Sequence, residues 1–267
     1  MLVSAASKTV RLAAAGDIHC NEENRAQVAA AFNGIRDDAD LVLLAGDLTT
    51  YGEPEEAAVL AGIVRDYDLP VYAVLGNHDW HADQTAAVRG ALVDGGVRLV
   101  DRECAVLEVG GMRVGIAGAK GFIGGFPDAT LPDFGEPLLR RVYAETSREI
   151  EALARGLERI ADCDLRVVLL HYSPTTTTLE GERQTIWAFL GSDRLADPIR
   201  EHHPHLVVHG HGHAGTFEGF VGAVPVFNVA VPVMGRDFFV FELAADGSLV
   251  RAEAEEPKQK QPERAET

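Results

Sequence analysis

The chain has 267 residues, a length that suits one α/β domain with short extensions. Hydrophobic residues make up 46 % and charged residues 24 %, which excludes a chain that is disordered throughout. The 41 acidic and 24 basic residues give a net charge of −17, and so acidic a protein repels phosphate backbones, which argues against duplex nucleic acid as a partner.

The N-terminus, the apolar runs and the cysteines indicate the cellular compartment of the protein. The start, MLVSAASKTVRLAAAGD, is similar to a signal peptide but runs directly into the first predicted strand, so we expect it to be retained. No apolar stretch reaches the ~18 residues that a membrane helix needs, so we expect no membrane partner. Cys20, Cys104 and Cys163 include no CxxC pair, which favours a reducing, cytoplasmic compartment without disulfides.

Apolar runs alternate with helical stretches along most of the chain. Buried strands are predicted at residues 10–15, 41–45, 71–75, 114–117, 167–170 and 206–208. Helices are predicted between them at residues 22–36, 53–66, 82–92 and 138–160. This repeated order predicts an α/β layered fold.

The remaining residues complete the domain. Short strands at 215–220, 224–230, 238–243 and 249–253 predict an antiparallel end to the sheet system. The last residues, 255–267, contain a single apolar residue and are expected to be a disordered tail. We therefore expect one domain over residues 1–254.

Five short polar motifs follow predicted strands. They are Asp17-Ile18-His19, Gly46-Asp47, Gly76-Asn77-His78-Asp79, His171 and Gly210-His211-Gly212-His213. Ligands of α/β sheets bind at the carboxyl ends of strands, so these motifs are expected to form one site. Taken singly, an aspartate after a strand usually caps a turn or helix, and a single histidine is usually structural. The set of motifs therefore carries more weight than any member.

The residue types in this set indicate metal binding. Carboxylate, amide and imidazole groups suit zinc, iron, manganese, nickel or cobalt rather than an iron–sulfur cluster. Seven of these side chains could fill two adjacent sites if one carboxylate bridges them. Two ions about 3.5–4 Å apart would polarise a phosphoryl oxygen and supply a hydroxide for in-line attack.

The ordered set D-x-H, GD, GNHD, H and GHxH resembles the calcineurin-like metallophosphoesterase superfamily between residues 17 and 213. The resemblance implies a four-layer αββα sandwich of two mixed β-sheets flanked by helices, with two divalent or trivalent metal ions, Mn, Fe or Zn, at the sheet edges. It implies a first metal bound by Asp17, His19 and His213, a bridging Asp47, and a second metal bound by Asn77, His171 and His211.

The same resemblance implies two residues that serve the reaction without binding metal. His78 would face the phosphate and stabilise or protonate the leaving oxygen. Asp79 would hold the His78 imidazole in the useful tautomer.

Departures from the family patterns narrow the branch. Tyr51 stands where protein serine/threonine phosphatases carry a phosphate-gripping arginine, and Thr50 stands where purple acid phosphatases carry a tyrosine. Bacterial Icc-like predicted phosphoesterases are the branch that the chain resembles, in the stretches LLAGDLTTYGEPEEA, KGFIGGF, LLHYSPTTTTLEGE, FLGS and VPVFNVA. This resemblance implies hydrolysis of a small phosphoester, with a nucleotide-like phosphodiester favoured over a phosphomonoester. A metal-binding scaffold without catalysis and a metal hydrolase acting on a non-phosphate substrate are the alternatives.

Two loops, 120–136 and 173–182, are expected to rim the site and to make its pocket narrow. They would bring Lys120, Arg183, Trp80 and Trp187 near it as phosphate and ring contacts. The alternative is that both tryptophans are buried in the core. Of the neighbouring residues, His81 is a candidate pocket residue, whereas Cys20 and His209 are expected in the core.

Overall fold

The computed structural model describes residues 8–251 and packs two six-stranded mixed sheets face to face. The strands are β1 Thr9–Ala15, β2 Leu41–Ala45, β3 Val71–Val74, β4 Arg98–Leu99, β5 Glu103–Val109, β6 Met112–Gly118, β7 Leu165–Leu169, β8 Leu206–His209, β9 Glu218–Val221, β10 Val224–Asn228, β11 Phe239–Ala244 and β12 Leu249–Arg251. The first sheet has the order β12-β11-β1-β2-β3-β4 and the second β5-β6-β7-β8-β10-β9. In each sheet the central strands are parallel. Antiparallel strands form both edges of the second sheet and the β11-β12 edge of the first, whereas the other edge strand, β4, is parallel to β3.

Helices cover the outer face of each sheet. They are α1 Arg25–Gly34, α2 Pro54–Arg65, α3 Thr85–Asp94, α4 Pro137–Arg159, α5 Trp187–Leu190, α6 Ala196–His202 and α7 Val231–Met234. Phe32, Leu60 and Leu92 of the first three helices pack in the large core cluster with the first sheet. Leu157 of α4 and Ile199 of α6 belong to a second cluster with the outer face of the second sheet. The predicted four-layer αββα sandwich is confirmed.

The core between the sheets explains the strand sequences. All five residues of β2 are fully buried, as expected for a parallel strand covered on both faces. Along β7 the side chains alternate between clusters: Val167 and Leu169 face the first sheet, whereas Val168 faces the outer helices.

The predicted elements lie within a few residues of the observed ones, and the late strands β9, β11 and β12 pair antiparallel, as expected. Two strands were not predicted. The strand β4 has only two residues, and β5 has mostly half-buried and exposed positions, so neither has the apolar run of a buried strand. The predicted tail at 255–267 lies outside the described residues. Within residues 8–251, none of the helices is long and apolar enough to cross a membrane.

Candidate metal centre

The five motifs lie in the loops that follow β1, β2, β3, β7 and β8, where strand ends from both sheets meet. Backbone hydrogen bonds hold these loops together. The amide of Asp17 donates to the Gly46 carbonyl (3.0 Å), which joins the loops after β1 and β2. The amide of His211 donates to Asp17 Oδ2 (2.9 Å), which joins the second sheet to the first. Side chains from five separate loops therefore share one edge of the molecule.

The backbone of these loops is unusual. Four of the predicted metal ligands have left-handed φ angles, namely Asp17 (57°), His19 (42°), Asp47 (50°) and His211 (70°). Such angles are uncommon outside glycine and cost of order 1–3 kcal/mol each, so they persist only where the surroundings impose them. Gly46 also has a positive φ (82°), and a Cβ there would lie 2.5 Å from His171 Nδ1. The strained backbone therefore coincides with the residues whose side chains lie at this edge.

The side chains form three overlapping groups whose ligand atoms lie within 4.8 Å of one another: Asp17, His19 and His213; His19, Asp47 and His78; and Asp47, His171 and His211. The first and third groups match the two expected metal sites. Asp47 belongs to the third group and shares the second with His19, which belongs to the first group, so Asp47 lies between the two candidate sites. Asn77 joins the third group, because its Oδ1 lies 2.9 Å from His171 Nε2.

The surroundings of His171 fit a bound cation. Its Nδ1 lies 2.8 Å from the Ala45 carbonyl, which places the ring proton on Nδ1. The Nε2 lone pair then faces two oxygens, Asn77 Oδ1 at 2.9 Å and Asp47 Oδ1 at 3.4 Å. Burial lowers the pKa of His171 to about 4, so a second ring proton is disfavoured. A metal ion between these three acceptors would satisfy all of them.

The two aspartates show the same need for positive charge. Burial raises the pKa of Asp47, and the neighbouring carboxylate of Asp17 raises it further. Burial also acts to raise the pKa of Asp17, but the hydrogen bond from His213 Nε2 (2.8 Å) and the nearby histidines bring it below its usual value. Two buried carboxylates that repel each other and face imidazoles are a donor set typical of a transition-metal site.

His78 lies beside this donor set with one ring nitrogen fixed. Its Nδ1 donates to the Thr50 carbonyl (2.7 Å), and its Nε2 lies 3.9 Å from Asp47 Oδ2. The ring centroid lies 4.7 Å from that of His19. The backbone therefore sets the tautomer of His78 and leaves Nε2 directed towards the candidate metals.

The predicted role of Asp79 is wrong. Its carboxylate accepts hydrogen bonds from the amides of Thr49 (2.8 Å) and Gly76 (2.7 Å), from the amide of Leu48 (3.2 Å) and from the Thr49 hydroxyl (2.6 Å), rather than from His78. Burial raises the pKa of Asp79 to about 6. Asp79 thus joins the loops after β2 and β3, and Thr50 holds the imidazole. No side-chain pattern could have identified Thr50, since only its backbone carbonyl takes part.

The family model for the calcineurin-like phosphoesterases matches residues 10–215. The chain belongs to the calcineurin-like phosphoesterase family. Members of this family are metal-dependent hydrolases that typically bind two metal ions, and the His and Asp groups described above are the candidate ligands. No curated protein matches this calcineurin-like phosphoesterase in sequence.

Solved structures share the fold of this calcineurin-like phosphoesterase at low identity. Phosphopantetheinyl hydrolase from Mycobacterium tuberculosis is similar with a TM-score of 0.63 and 15 % identity, over 83 % of this chain and 89 % of that one. GAP50 of Plasmodium, the anchor in the inner membrane complex, gives 0.57 and 12 %, over 88 % and 81 %. A candidate 5′-nucleotidase from Staphylococcus aureus gives 0.55 and 14 %, over 89 % and 51 %.

A cavity of about 380 Å³ opens beside the candidate metals of this calcineurin-like phosphoesterase. It is lined by Asn77, Trp80, Lys120, Phe122, Glu145 and Tyr172. Two of the four predicted contacts, Trp80 and Lys120, are therefore present. Burial lowers the pKa of the Lys120 amino group, and the carboxylates of Glu149 and Glu145 act in the opposite direction.

The other predicted neighbours lie elsewhere. Arg183 is exposed and does not line the cavity. Trp187 is half-buried against a small cluster of Phe126, Leu179 and Leu190, whereas Trp80 is 51 % exposed, so the alternative that both tryptophans are in the core is wrong. His81 is exposed beside Tyr51.

Cys20 and His209 are fully buried, as expected. Tyr172 and Phe122 were missed as cavity residues, although each lies within two positions of a residue that was predicted.

Proposed function

We propose that this calcineurin-like phosphoesterase hydrolyses small phosphoesters with two transition-metal ions, Mn, Fe or Zn, and that nucleotide-like phosphodiesters are its preferred substrates. The observation that carries the proposal is the arrangement at His171. His171 Nε2, Asn77 Oδ1 and Asp47 Oδ1 converge there from three loops, and a metal ion between them would satisfy all three.

The proposed ligands follow the observed groups. Asp17, His19 and His213 would hold the first ion, Asp47 would bridge, and Asn77, His171 and His211 would hold the second. When bound, such ions polarise a phosphoryl oxygen and lower the pKa of a water that attacks phosphorus in line.

We propose that His78 donates a proton to the leaving oxygen. The Thr50 carbonyl accepts from Nδ1 whether or not the ring is charged, so any proton gained or lost is carried on Nε2. That nitrogen lies on the Asp47 side of the ring, where the phosphoryl group would sit. A proton delivered from Nε2 would neutralise the oxyanion that forms as the ester bond breaks.

Charge and cavity size support small substrates rather than polymers. The net charge of −17 repels duplex nucleic acid, and the cavity of about 380 Å³ is at the small end of ligand pockets. The free cysteines Cys20, Cys104 and Cys163 support the proposal of a reducing, cytoplasmic compartment. We further propose that residues 1–254 act as one domain.

A metal-dependence assay tests the function. Protein stripped with a chelator should lose hydrolysis of bis(4-nitrophenyl) phosphate, and added Mn²⁺, Fe²⁺ or Zn²⁺ should restore it at least partly. Protein dialysed without chelator is the control. The monoester 4-nitrophenyl phosphate, run in parallel, should be cleaved more slowly; faster cleavage would make the chain a phosphomonoesterase. Full activity without metal would contradict the proposal, and two bound ions without any turnover would favour the scaffold alternative.

A further inference from the structure

The cavity beside the metal centre contains a buried lysine among aromatic rings. Lys120 is 8 % exposed, and its Nζ lies 4.3 Å from the ring centroid of Phe122, 5.0 Å from that of Tyr172 and 6.0 Å from that of Trp80. The negative faces of these rings stabilise an ammonium group. A ring face does not replace the oxygen acceptors that an ammonium group binds in water.

The ammonium group of Lys120 is short of acceptors. It has three N–H donors, and within residues 8–251 its one hydrogen bond goes to the Gly121 carbonyl at 3.1 Å. The nearby carboxylates are engaged elsewhere: Glu149 accepts from Arg102 Nε (2.8 Å) and from the Gly121 amide (3.0 Å), and Glu145 pairs with Arg102 and Arg148. Burying a cation with unused donors is costly, so this arrangement is suited to an anionic ligand.

The aromatic side chains that line the cavity favour a ligand with a flat apolar part besides its anionic group. Phe122 and Tyr172 present rings, and Trp80 keeps half of its surface exposed at the rim. Ring faces favour a flat apolar partner over a hydrated one. A cavity of about 380 Å³ accommodates one ring with its substituent and does not accommodate a polymer.

The cavity is continuous with the candidate metal site. Asn77 lines the cavity and contacts His171 in the second metal group. The Tyr172 ring lies 4.5 Å from the ring of His211 and 5.4 Å from that of His171, between centroids. A phosphoryl group at the metals would therefore direct its esterifying group into the cavity.

We propose that this cavity binds the esterifying group of the substrate and selects phosphoesters whose esterifying group is a planar aromatic ring bearing an anionic substituent, with Lys120 as the residue that binds this second anion. The inference rests on the proposed function, because it names the substrate class of the same site. Lys120 acts as a specificity-determining residue, and the rings of Trp80, Phe122 and Tyr172 enclose the substrate ring.

Binding of uncleavable phosphonates tests the proposal without relying on turnover. Phenylphosphonate and its 3- and 4-carboxy derivatives are titrated into Zn²⁺-loaded protein by calorimetry. A charge-assisted hydrogen bond predicts that at least one carboxy derivative binds about 10- to 100-fold more tightly than phenylphosphonate. In Trp187→Phe protein, Trp80 is the sole tryptophan, and its fluorescence should change on binding.

Variants locate the effect. Lys120→Met removes the amino group, leaves an unbranched apolar side chain one atom shorter, and should abolish the preference for the carboxy derivative. Arg183→Met removes an exposed cation outside the cavity and should leave the preference intact. Trp80→Leu should weaken binding of all three phosphonates while the preference remains. If Lys120→Met does not fold, Lys120→Gln, which keeps a polar group but removes the charge, should lose the preference instead.

Three results would overturn the inference. They are equal affinities for the three phosphonates in wild-type protein, a preference that survives Lys120→Met, and Lys120-dependent binding of methylenediphosphonate without binding of arylphosphonates, which would assign Lys120 to a second phosphate. Failure of the proposed function would look different. Metal-loaded wild-type protein would then hydrolyse neither bis(4-nitrophenyl) phosphate nor 4-nitrophenyl phosphate, while the binding preference persisted.

Discussion

A single methyl group at Gly76 should disable the metal centre. A Cβ built on Gly76 would lie 2.1 Å from Asp47 Oδ1, 2.3 Å from the Asp47 amide nitrogen and 2.8 Å from Asp47 Cγ. Rotation of the Asp47 side chain relieves the first and third contacts but cannot relieve the second. Gly76→Ala must therefore displace backbone as well as carboxylate.

The size of the displacement sets the expected effect. Real Cβ atoms essentially never approach within 3.0 Å, so the Asp47 nitrogen must move by about 0.7 Å and Oδ1 by about 0.9 Å to reach that limit. A misplacement of roughly 1 Å in a reactive site costs about 100-fold in rate. Overpacking of this kind also destabilises the fold by about 1–3 kcal/mol. Gly76→Ala should thus lose about 100-fold in kcat/KM and also bind metal more weakly.

Metal content per chain, turnover of bis(4-nitrophenyl) phosphate and the melting temperature are the three measurements. Gly90→Ala is the matched control, because Gly90 lies within α3 and its added Cβ meets no atom within 4 Å. That substitution should leave metal binding and turnover unchanged and stabilise the helix by roughly 0.5–1 kcal/mol. Two ions bound by Gly76→Ala with wild-type affinity, together with near-normal turnover, would refute the placement of Asp47 at the centre of the site.

Two further outcomes are expected. His78→Ala should keep both ions but lose roughly 10²–10⁴-fold in rate, most for esters with poor leaving groups, because those need a proton most; an equal loss across leaving groups, measured on a series of aryl phosphates, would instead assign His78 to phosphate binding. Metal-free protein should lose stability in acid, because burial lowers the pKa of His209 from 6.5 to about 4. Between those pH values the His209 imidazole binds a proton in the unfolded chain but not in the folded chain. The free energy of unfolding therefore falls by about 3 kcal/mol from pH 6.5 to pH 4 because of this group alone. Thermal melting in a chelator across this range would show it, and a melting temperature that does not fall would contradict it.

Local pattern was sufficient for the elements that build the site. The strands β1, β2, β3, β7 and β8 are apolar because they are buried on both faces, and each ends at a polar motif whose residue types already indicate metal chemistry. The alternation of strands and helices predicted an α/β layered fold, and the family resemblance carried by these motifs implied the sandwich. The strand β5 escaped prediction because it is an edge strand, and half-exposed positions lack a continuous apolar run.

Tertiary structure decided how the site works in detail. The family resemblance implied that Asp79 holds His78, but adjacent side chains in a tight turn point in different directions, and Asp79 turns inward to the amides of Thr49 and Gly76. The group that holds His78 is a carbonyl 28 residues away in sequence. Every residue has a backbone carbonyl, so a sequence motif cannot show which carbonyl will accept the hydrogen bond.

The same distinction applies to the cavity. The sequence determined that Lys120 and Trp80 lie near the motifs, since each is close to a predicted strand end. It did not determine that Phe122 and Tyr172 would enclose the ammonium group, or that Arg102 would occupy the neighbouring carboxylates and leave Lys120 with unused donors. The Arg102 contacts depend on how α4, which carries both carboxylates, packs against the second sheet. Long-range packing of this kind is set by the three-dimensional fit of side chains rather than by any local pattern.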